Sequence, residues 1–185
     1  MDKSQQPCRQ KPNFHIMASK TLDNLDYTST SIIDHTTLDP SLQVVNVMSL
    51  SHDKIKSLTA FYLAKSFANE GYNTLLLEAN LRHSRYTTYF NLNLDKGLSD
   101  SIEEETLHTV NYQNNLDILA GGTSVIDVSS FLVSRDFKAF LKTLKTLYDK
   151  IIIDTPTLSE HKDSLIISDY ACGNIIVHTS LRDTA

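Results

Sequence analysis

The segment Val44-Val45-Asn46-Val47-Met48-Ser49 decides the fold, because it is typical of a buried strand and a phosphate-type loop follows it directly. That loop is Ser51-His52-Asp53-Lys54-Ile55-Lys56-Ser57, and residues 58–70 are predicted to form a helix. A strand, a loop with a Lys-Ser pair and a helix together present backbone N–H groups and a lysine to the phosphates of a nucleotide. The sequence therefore predicts a degenerate Walker A loop that keeps its lysine but has no glycine, since the first glycine of the chain is Gly71.

The missing glycines argue against an ordinary phosphate cradle. Leu50 and Ile55 stand where such loops normally have glycine. A β-branched residue forced to positive φ costs about 1–3 kcal/mol, so Ile55 is expected to strain a loop that curls around phosphate. Asp53 would add a carboxylate beside a polyanion, which Lys54 could offset in part as a second cation.

The rest of the chain alternates short apolar runs with helical patterns, which is typical of a parallel sheet with crossover helices. Strands are predicted at residues 43–49, 74–78, 116–120, 151–154 and 174–178. Helices are predicted at residues 58–70, 98–105, 136–148 and 164–170. The fold class is therefore α/β, a mostly parallel sheet flanked by helices, in one domain at 41–185. Residues 1–40 are polar with little periodicity and are predicted to be a flexible leader with at most one short helix around 20–33.

One predicted helix carries a clear apolar stripe that marks packing rather than a site. The stripe recurs at intervals of three and four residues. Its members are Phe137, Phe140, Leu141, Leu144, Leu147 and Tyr148.

Composition excludes several classes of function. A net charge of −5 with scattered Lys and Arg predicts no nucleic-acid surface and no anionic-membrane surface. Cys8 and Cys172 form no Cys-x-x-Cys motif and the seven histidines show no metal-ligand spacing, which fits a reducing compartment without a structural zinc. No apolar run approaches the length of a membrane span, so we expect a cytoplasmic protein that reaches the membrane only through a partner.

Four further segments follow the loop in a distinctive order. They are TLLLEANLR (74–82), GLSD (97–100), LDILAGG (116–122) and YDKIIIDTP (148–156). In that order and spacing, residues 44–184 resemble the CpsD/CapB-type bacterial tyrosine kinases of capsule and exopolysaccharide assembly. Those proteins typically read GKS/T, LLIDxDxR, GLS, LxxGP and YDxxIIDTPP.

The resemblance implies a P-loop fold and a MgATP site at the loop of residues 53–57. Lys56 would neutralise the terminal phosphates, and the Ser57 hydroxyl would bind Mg²⁺. Asp154, at the carboxyl end of a strand, would hold the metal directly or through water. Without that register, such short motifs favour the simpler alternatives, an exposed lysine at a helix start for Lys56 and a strand-end cap for Asp154.

The resemblance also implies a catalytic set at the second strand, and this chain departs from it. Glu78 replaces the first acid of the family's Asp-x-Asp, which would hold metal-bound water or act as base, and it reaches one methylene further. Asn80 replaces the second acid and keeps an oxygen ligand without its charge. Arg82 is retained and would pair with phosphate or a carboxylate, although a solvated loop arginine is an equal alternative.

Two more departures affect assembly. Family members carry ExxRxxR upstream of the first strand, which joins subunits into rings, whereas residues 26–33 here have hydroxyl side chains in place of the arginines. The chain also lacks the family's last helix and strand and its tyrosine-rich tail, which predicts an uncovered edge or face of the sheet.

These observations favour a degenerate kinase homologue that regulates polysaccharide synthesis and export with weakened or lost tyrosine autophosphorylation. It would act at the docking surface of a membrane-spanning polysaccharide co-polymerase. An active tyrosine kinase using Lys56, Lys54, Glu78 and Asp154 is the first alternative. A MinD/ParA-like ATPase is the second, disfavoured because the chain lacks a second lysine near the loop start.

Overall fold

The computed structural model describes residues 13–19, 41–50, 55–92 and 95–179, with the backbone alone for 13–19, 178 and 179. The strands are β1 (Asn13–Ser19), β2 (Val44–Ser49), β3 (Thr74–Glu78), β4 (Val110–Gln113), β5 (Leu116–Leu119), β6 (Lys150–Asp154) and β7 (Gly173–Thr179). The helices are α1 (Ile55–Asn69), α2 (Tyr86–Tyr89), α3 (Leu98–Glu103), α4 (Val128–Val133), α5 (Arg135–Leu147) and α6 (Asp163–Ser168). None of these helices is long and apolar enough to cross a membrane.

The strands form one sheet of mostly parallel strands in the order β1-β7-β2-β6-β3-β5-β4, with only the β4–β5 pair antiparallel. Every residue of β2, β3 and β6 is buried, as expected for central strands covered by helices on both faces. The predicted α/β fold is confirmed, and each predicted strand and helix is present. The short elements β4, α2 and α4 were not predicted.

The strand β1 is the main difference from the sequence-based expectation. It lies inside the segment predicted as a leader, yet it pairs in parallel with the whole of β7, from Asn13 opposite Gly173 to Ser19 opposite Thr179. β1 therefore covers the outer side of β7 and is itself the terminal strand of the sheet there, and the uncovered edge or face stays a prediction. The predicted short helix and the stretch 26–33 lie outside the described residues.

Two apolar clusters cover the two faces of the sheet. One packs α1 against the sheet, and the other contains the buried face of α5. The predicted stripe of α5 is confirmed for Phe137, Leu141, Leu144 and Tyr148, which are all buried. It is wrong for Leu147, which is 50% exposed, because this residue lies at the edge of the stripe in the last turn.

The parallel central strands bring three polar side chains to one edge of the sheet. Ser49, Glu78 and Asp154 end β2, β3 and β6, and Glu78 stands opposite Asp154 in the register. The carboxyl ends of parallel strands are where ligands bind in open α/β sheets, so this edge is the candidate site.

Candidate functional site

The centre of the site is an ion pair between Lys56 and Asp154. Lys56 is the second residue of α1 and Asp154 is the last residue of β6, and they are 4% and 1% exposed. The Lys56 ammonium donates to Oδ1 of Asp154. β2 and β6 are neighbours with Val47 opposite Asp154, so the helix that follows β2 starts next to the end of β6. The structure thus brings these two predicted site residues together and excludes the exposed-lysine alternative.

The second oxygen of Asp154 is also occupied. Tyr86, the first residue of α2, donates its hydroxyl hydrogen to Oδ2 of Asp154 at 3.0 Å and is 1% exposed. Burial raises the pKa of Tyr86 well above its usual value, and the negative charges of Asp154 and Glu78 raise it further. The tyrosine therefore stays a neutral donor, and Asp154 has no oxygen without a protein partner.

Tyr86 was not among the predicted site residues. The only signal in the sequence is its position on the segment that leaves β3, the strand beside β6. A four-residue helix such as α2 shows no usable periodicity, so this signal could not be recognised.

Glu78 accepts hydrogen bonds from both chain segments around the end of β3. The donors are the backbone N–H of Arg85 at 2.6 Å, the Ser84 hydroxyl at 2.7 Å, the Gly121 N–H at 3.0 Å and the Tyr86 N–H at 3.2 Å. These donors are all provided by the loop after β3 and by the turn after β5. In this geometry Glu78 holds the two segments together, and its role as a base or metal ligand stays a prediction.

Burial raises the pKa of Glu78 above its ordinary value. The hydrogen bonds from Arg85, Ser84 and Gly121 oppose this shift, whereas the charge of Asp154 adds to it. Two carboxylates therefore lie near each other at this edge, with Lys56 paired to only one of them.

The remaining residues of the second-strand motif are placed differently. Asn80 has a buried Oδ1 with no hydrogen-bond donor. Arg82 donates from Nε to Oδ2 of Asp163 at 2.9 Å, and the Ser129 hydroxyl donates to the other oxygen of Asp163 at 2.8 Å. Asp163 is 1% exposed and begins α6. Arg82 is therefore not a free solvated arginine, and a phosphate role for it stays a prediction.

The glycine-free loop does not force Ile55 into strain. Ile55 begins α1, is 9% exposed and packs in the apolar cluster on that face of the sheet. Among described residues other than glycine, positive φ occurs only at Asn91, Glu105 and Asn115. Ser57 lies on α1 with a partly buried side chain, and Asp53 and Lys54 lie outside the described residues.

The donor set fits a magnesium nucleotide only in part. Asp154, Ser57 and Asn80 supply oxygen atoms, which Mg²⁺ prefers, and the orphaned Oδ1 of Asn80 is an acceptor that a hydrated cation could satisfy. Each oxygen of Asp154 already accepts one hydrogen bond, so a cation at this carboxylate has to share it with Lys56 and Tyr86 or displace one of them.

The GLS segment brings the start of α3 into close contact with the end of β5, beside the site. A Cβ at Gly97 would collide with the backbone of Ala120 and Gly122, so the close approach of α3 to the end of β5 requires glycine. Asp100 accepts from Gly97 N at 2.7 Å, from Thr123 N at 3.0 Å and from the Thr123 hydroxyl at 2.8 Å. Burial alone would raise the pKa of Asp100, but these hydrogen bonds together lower it below its ordinary value.

Replacing Asp100 with asparagine is expected to destabilise the protein by about 1–3 kcal/mol near neutral pH, because backbone donors lose a carboxylate acceptor. The pKa of Asp100 is lowered in the folded state, so its contribution is present above the unfolded value of 3.8 and is lost as the pH falls through the folded pKa. Urea unfolding at several pH values should therefore show that the difference in free energy of unfolding between wild type and Asp100→Asn becomes smaller towards acid pH. A difference that grows towards acid pH would contradict this.

The chain is similar in sequence to bacterial tyrosine kinases. The chain is 27% identical over 177 residues to tyrosine-protein kinase ptk of Acinetobacter johnsonii, covering 91% of this chain and 24% of that protein. It is 30% identical over 142 residues to tyrosine-protein kinase CpsD of Streptococcus pneumoniae, covering 74% of this chain and 62% of that protein. The chain therefore spans less than two thirds of the length of either relative. No family model matches the chain.

Solved structures share the fold. The chimerical protein CapA2B2 superposes with a TM-score of 0.70 at 27% identity, over 77% of this chain and 64% of that one. A plasmid partition protein from Borrelia burgdorferi B31, solved bound to AMPPNP, has a TM-score of 0.54 at 21% identity, over 73% and 61% of the two chains. The second likeness reflects the common fold alone.

Proposed function

We propose that this chain, which is similar to the CpsD/CapB-type bacterial tyrosine kinases, regulates capsular or exopolysaccharide synthesis and export with weakened or lost ATP-dependent tyrosine phosphorylation. The observation that carries this proposal is that each oxygen of Asp154 already accepts a hydrogen bond from a buried partner, Oδ1 from Lys56 and Oδ2 from Tyr86. The acid that should hold the metal and the lysine that should meet the phosphates neutralise each other.

Three further features support weakened catalysis. Glu78 is saturated by hydrogen bonds that hold two loops, so its use as a base would break them. Asn80 has no charge with which to accept a proton. Ile55, directly before Lys56, begins α1 and packs in the core, so this position belongs to the helix rather than to a phosphate cradle.

MgATP is the ligand that this site would take, with Lys56 on the phosphates and Ser57 and Asp154 around the metal. When bound, the nucleotide would supply the phosphoryl group. The chain's own part is to release Lys56 from Asp154, which has to give up a buried ion pair before phosphate can bind.

The proposed partner is a membrane-spanning polysaccharide co-polymerase that recruits the protein from the cytoplasm to the inner face of the membrane. The chain would regulate by occupying the docking surface of that partner. A docking role that does not depend on nucleotide needs the folded domain, and the sheet forms although the loop has no glycine.

An active tyrosine kinase is the second candidate. The observation that favours it is the preserved juxtaposition of Lys56 and Asp154 at the carboxyl ends of β2 and β6. In that case, Lys56 would exchange Asp154 for phosphate when the nucleotide binds. The Tyr86 hydroxyl would then also release Asp154.

Calorimetry with MgATP tests the proposal. We expect the wild-type chain to bind MgATP no tighter than about 1 mM. Tyr86→Phe should tighten binding about tenfold, because the variant removes one hydrogen bond to the Asp154 carboxylate, equivalent to about 1.4 kcal/mol. Tyr89→Phe is the matched control, since Tyr89 lies on the same helix but is 55% exposed. Micromolar binding by the wild type, followed by tyrosine phosphorylation, would contradict the proposal in favour of the active kinase.

A further inference from the structure

A groove between α3 and α5 lies outside the site described above. Its volume is about 390 Å³. The half-buried side chains of Ile102, Leu107 and Phe140 line it and continue the apolar cluster on the α5 face of the sheet. The exposed carboxylates of Glu105 and Asp136 also line it. The groove therefore combines an apolar floor with acidic groups at its solvent side.

Among the residues that the structure describes, the acidic groups of the groove have no basic partners. The groove is lined by two carboxylates and by no lysine, arginine or histidine. Within the described part of the chain, neither Glu105 nor Asp136 forms an ion pair, whereas the adjacent Glu104 pairs with Lys96 and His108. The groove thus keeps an uncompensated negative charge next to apolar surface, which attracts cationic groups.

The groove is preformed by the hydrogen bonds around the start of α3. The Ser101 hydroxyl donates to the Gly97 carbonyl at 2.6 Å and accepts from the His108 N–H at 3.0 Å. These bonds hold the chain on both sides of the turn that contains Glu105 and Leu107. A partner therefore meets a surface that needs little ordering, which favours affinity.

We infer that this groove docks a peptide segment of a partner protein that carries a lysine or arginine beside a leucine or isoleucine. Charge complementarity selects the basic residue, and the apolar floor accepts the aliphatic one. A peptide fits better than a small molecule, because small-molecule sites bury most of the ligand and much of this lining is exposed. The groove contains none of the residues of the MgATP site, so peptide binding here is tested separately from MgATP binding.

Fluorescence anisotropy with three labelled hexapeptides and the full chain tests the inference. The probes are Leu-Lys-Leu-Leu-Lys-Leu, its analogue with glutamate for lysine, and its analogue with serine for leucine. The basic apolar peptide should bind at least about tenfold tighter than either analogue and should weaken at high salt. Equal binding of all three peptides, or no binding of the basic apolar peptide at about 1 mM, would overturn the inference.

A pair of double variants locates the binding. Glu105→Gln with Asp136→Asn should weaken the basic apolar peptide about tenfold. The matched control is Glu103→Gln with Asp169→Asn, which removes two exposed carboxylates outside the groove and should leave affinity unchanged. Thermal melting of both variants verifies that each is folded. Unchanged affinity in the first variant, or an equal loss in the control, would show that the peptide does not bind in this groove.

Discussion

Lys56→Met is expected to lower the free energy of unfolding by about 3–5 kcal/mol, because Asp154 would remain buried without its cation. Methionine keeps most of the volume of the lysine stem, so the loss reports the charge rather than a cavity. The measurement is chemical denaturation at neutral pH. Lys142→Met is the control, since Lys142 is exposed on α5 and surface changes usually lie within about 0.5 kcal/mol.

A second substitution separates the ion pair from general damage. Lys56→Met combined with Asp154→Asn should recover most of the loss, because replacing both partners of a buried pair is often nearly neutral. The asparagine oxygen can still accept from the Tyr86 hydroxyl. A single Lys56→Met variant within about 1 kcal/mol of wild type would show that the pair does not form in solution.

Glu78→Ala is expected to cost at least about 3 kcal/mol, because several buried donors lose their acceptor at once and each such loss costs about 1–3 kcal/mol. Glu78→Gln should cost less but still destabilise, since its amide group would face the donors from Ser84 and Gly121. Both variants should loosen the loop after β3, which hydrogen exchange at Arg85 and Tyr86 would detect. Unchanged protection at these amides would contradict the proposed structural role.

The pH dependence of the Glu78→Gln effect has a defined sign. The pKa of Glu78 is raised in the folded state, so its contribution to stability is full below the unfolded value of 4.5 and is lost as the pH rises through the folded pKa. The stability difference between wild type and Glu78→Gln should therefore be larger at acid pH than at neutral pH. Urea unfolding across this range measures it. If the stability difference increases towards neutral pH, the hydrogen bonds to Glu78 lower its pKa more than burial raises it.

The central strands and the amphipathic helix could be predicted because their signals are local. The apolar runs of β2, β3 and β6 are bounded by polar residues, and the stripe of α5 repeats over three turns. The meeting of Lys56 with Asp154 followed from the order of the motifs, since both residues flank neighbouring parallel strands. The central strands, α5 and the Lys56–Asp154 pair can each be predicted from the residues of one or two neighbouring elements.

The rest of the site depends on contacts between distant segments. The hydroxyl of Tyr86 reaches Asp154 across the sheet edge, and the carboxylate of Glu78 ties its loop to Gly121. No periodicity encodes such pairings. The strand β1 was missed for the same reason, because its partner is β7 at the far end of the described chain.

The pairing of β1 with β7 has a consequence for the order in which the protein is made. Among the strands that the structure describes, a ribosome releases Asn13–Ser19 first and Gly173–Thr179 last. Within the described sheet, β1 therefore has no partner until β7 emerges. A nascent chain paused before residue 173 would expose the edge of β2, where β7 belongs, and would carry β1 unpaired. Completion of this sheet is thus tied to synthesis of the chain through β7.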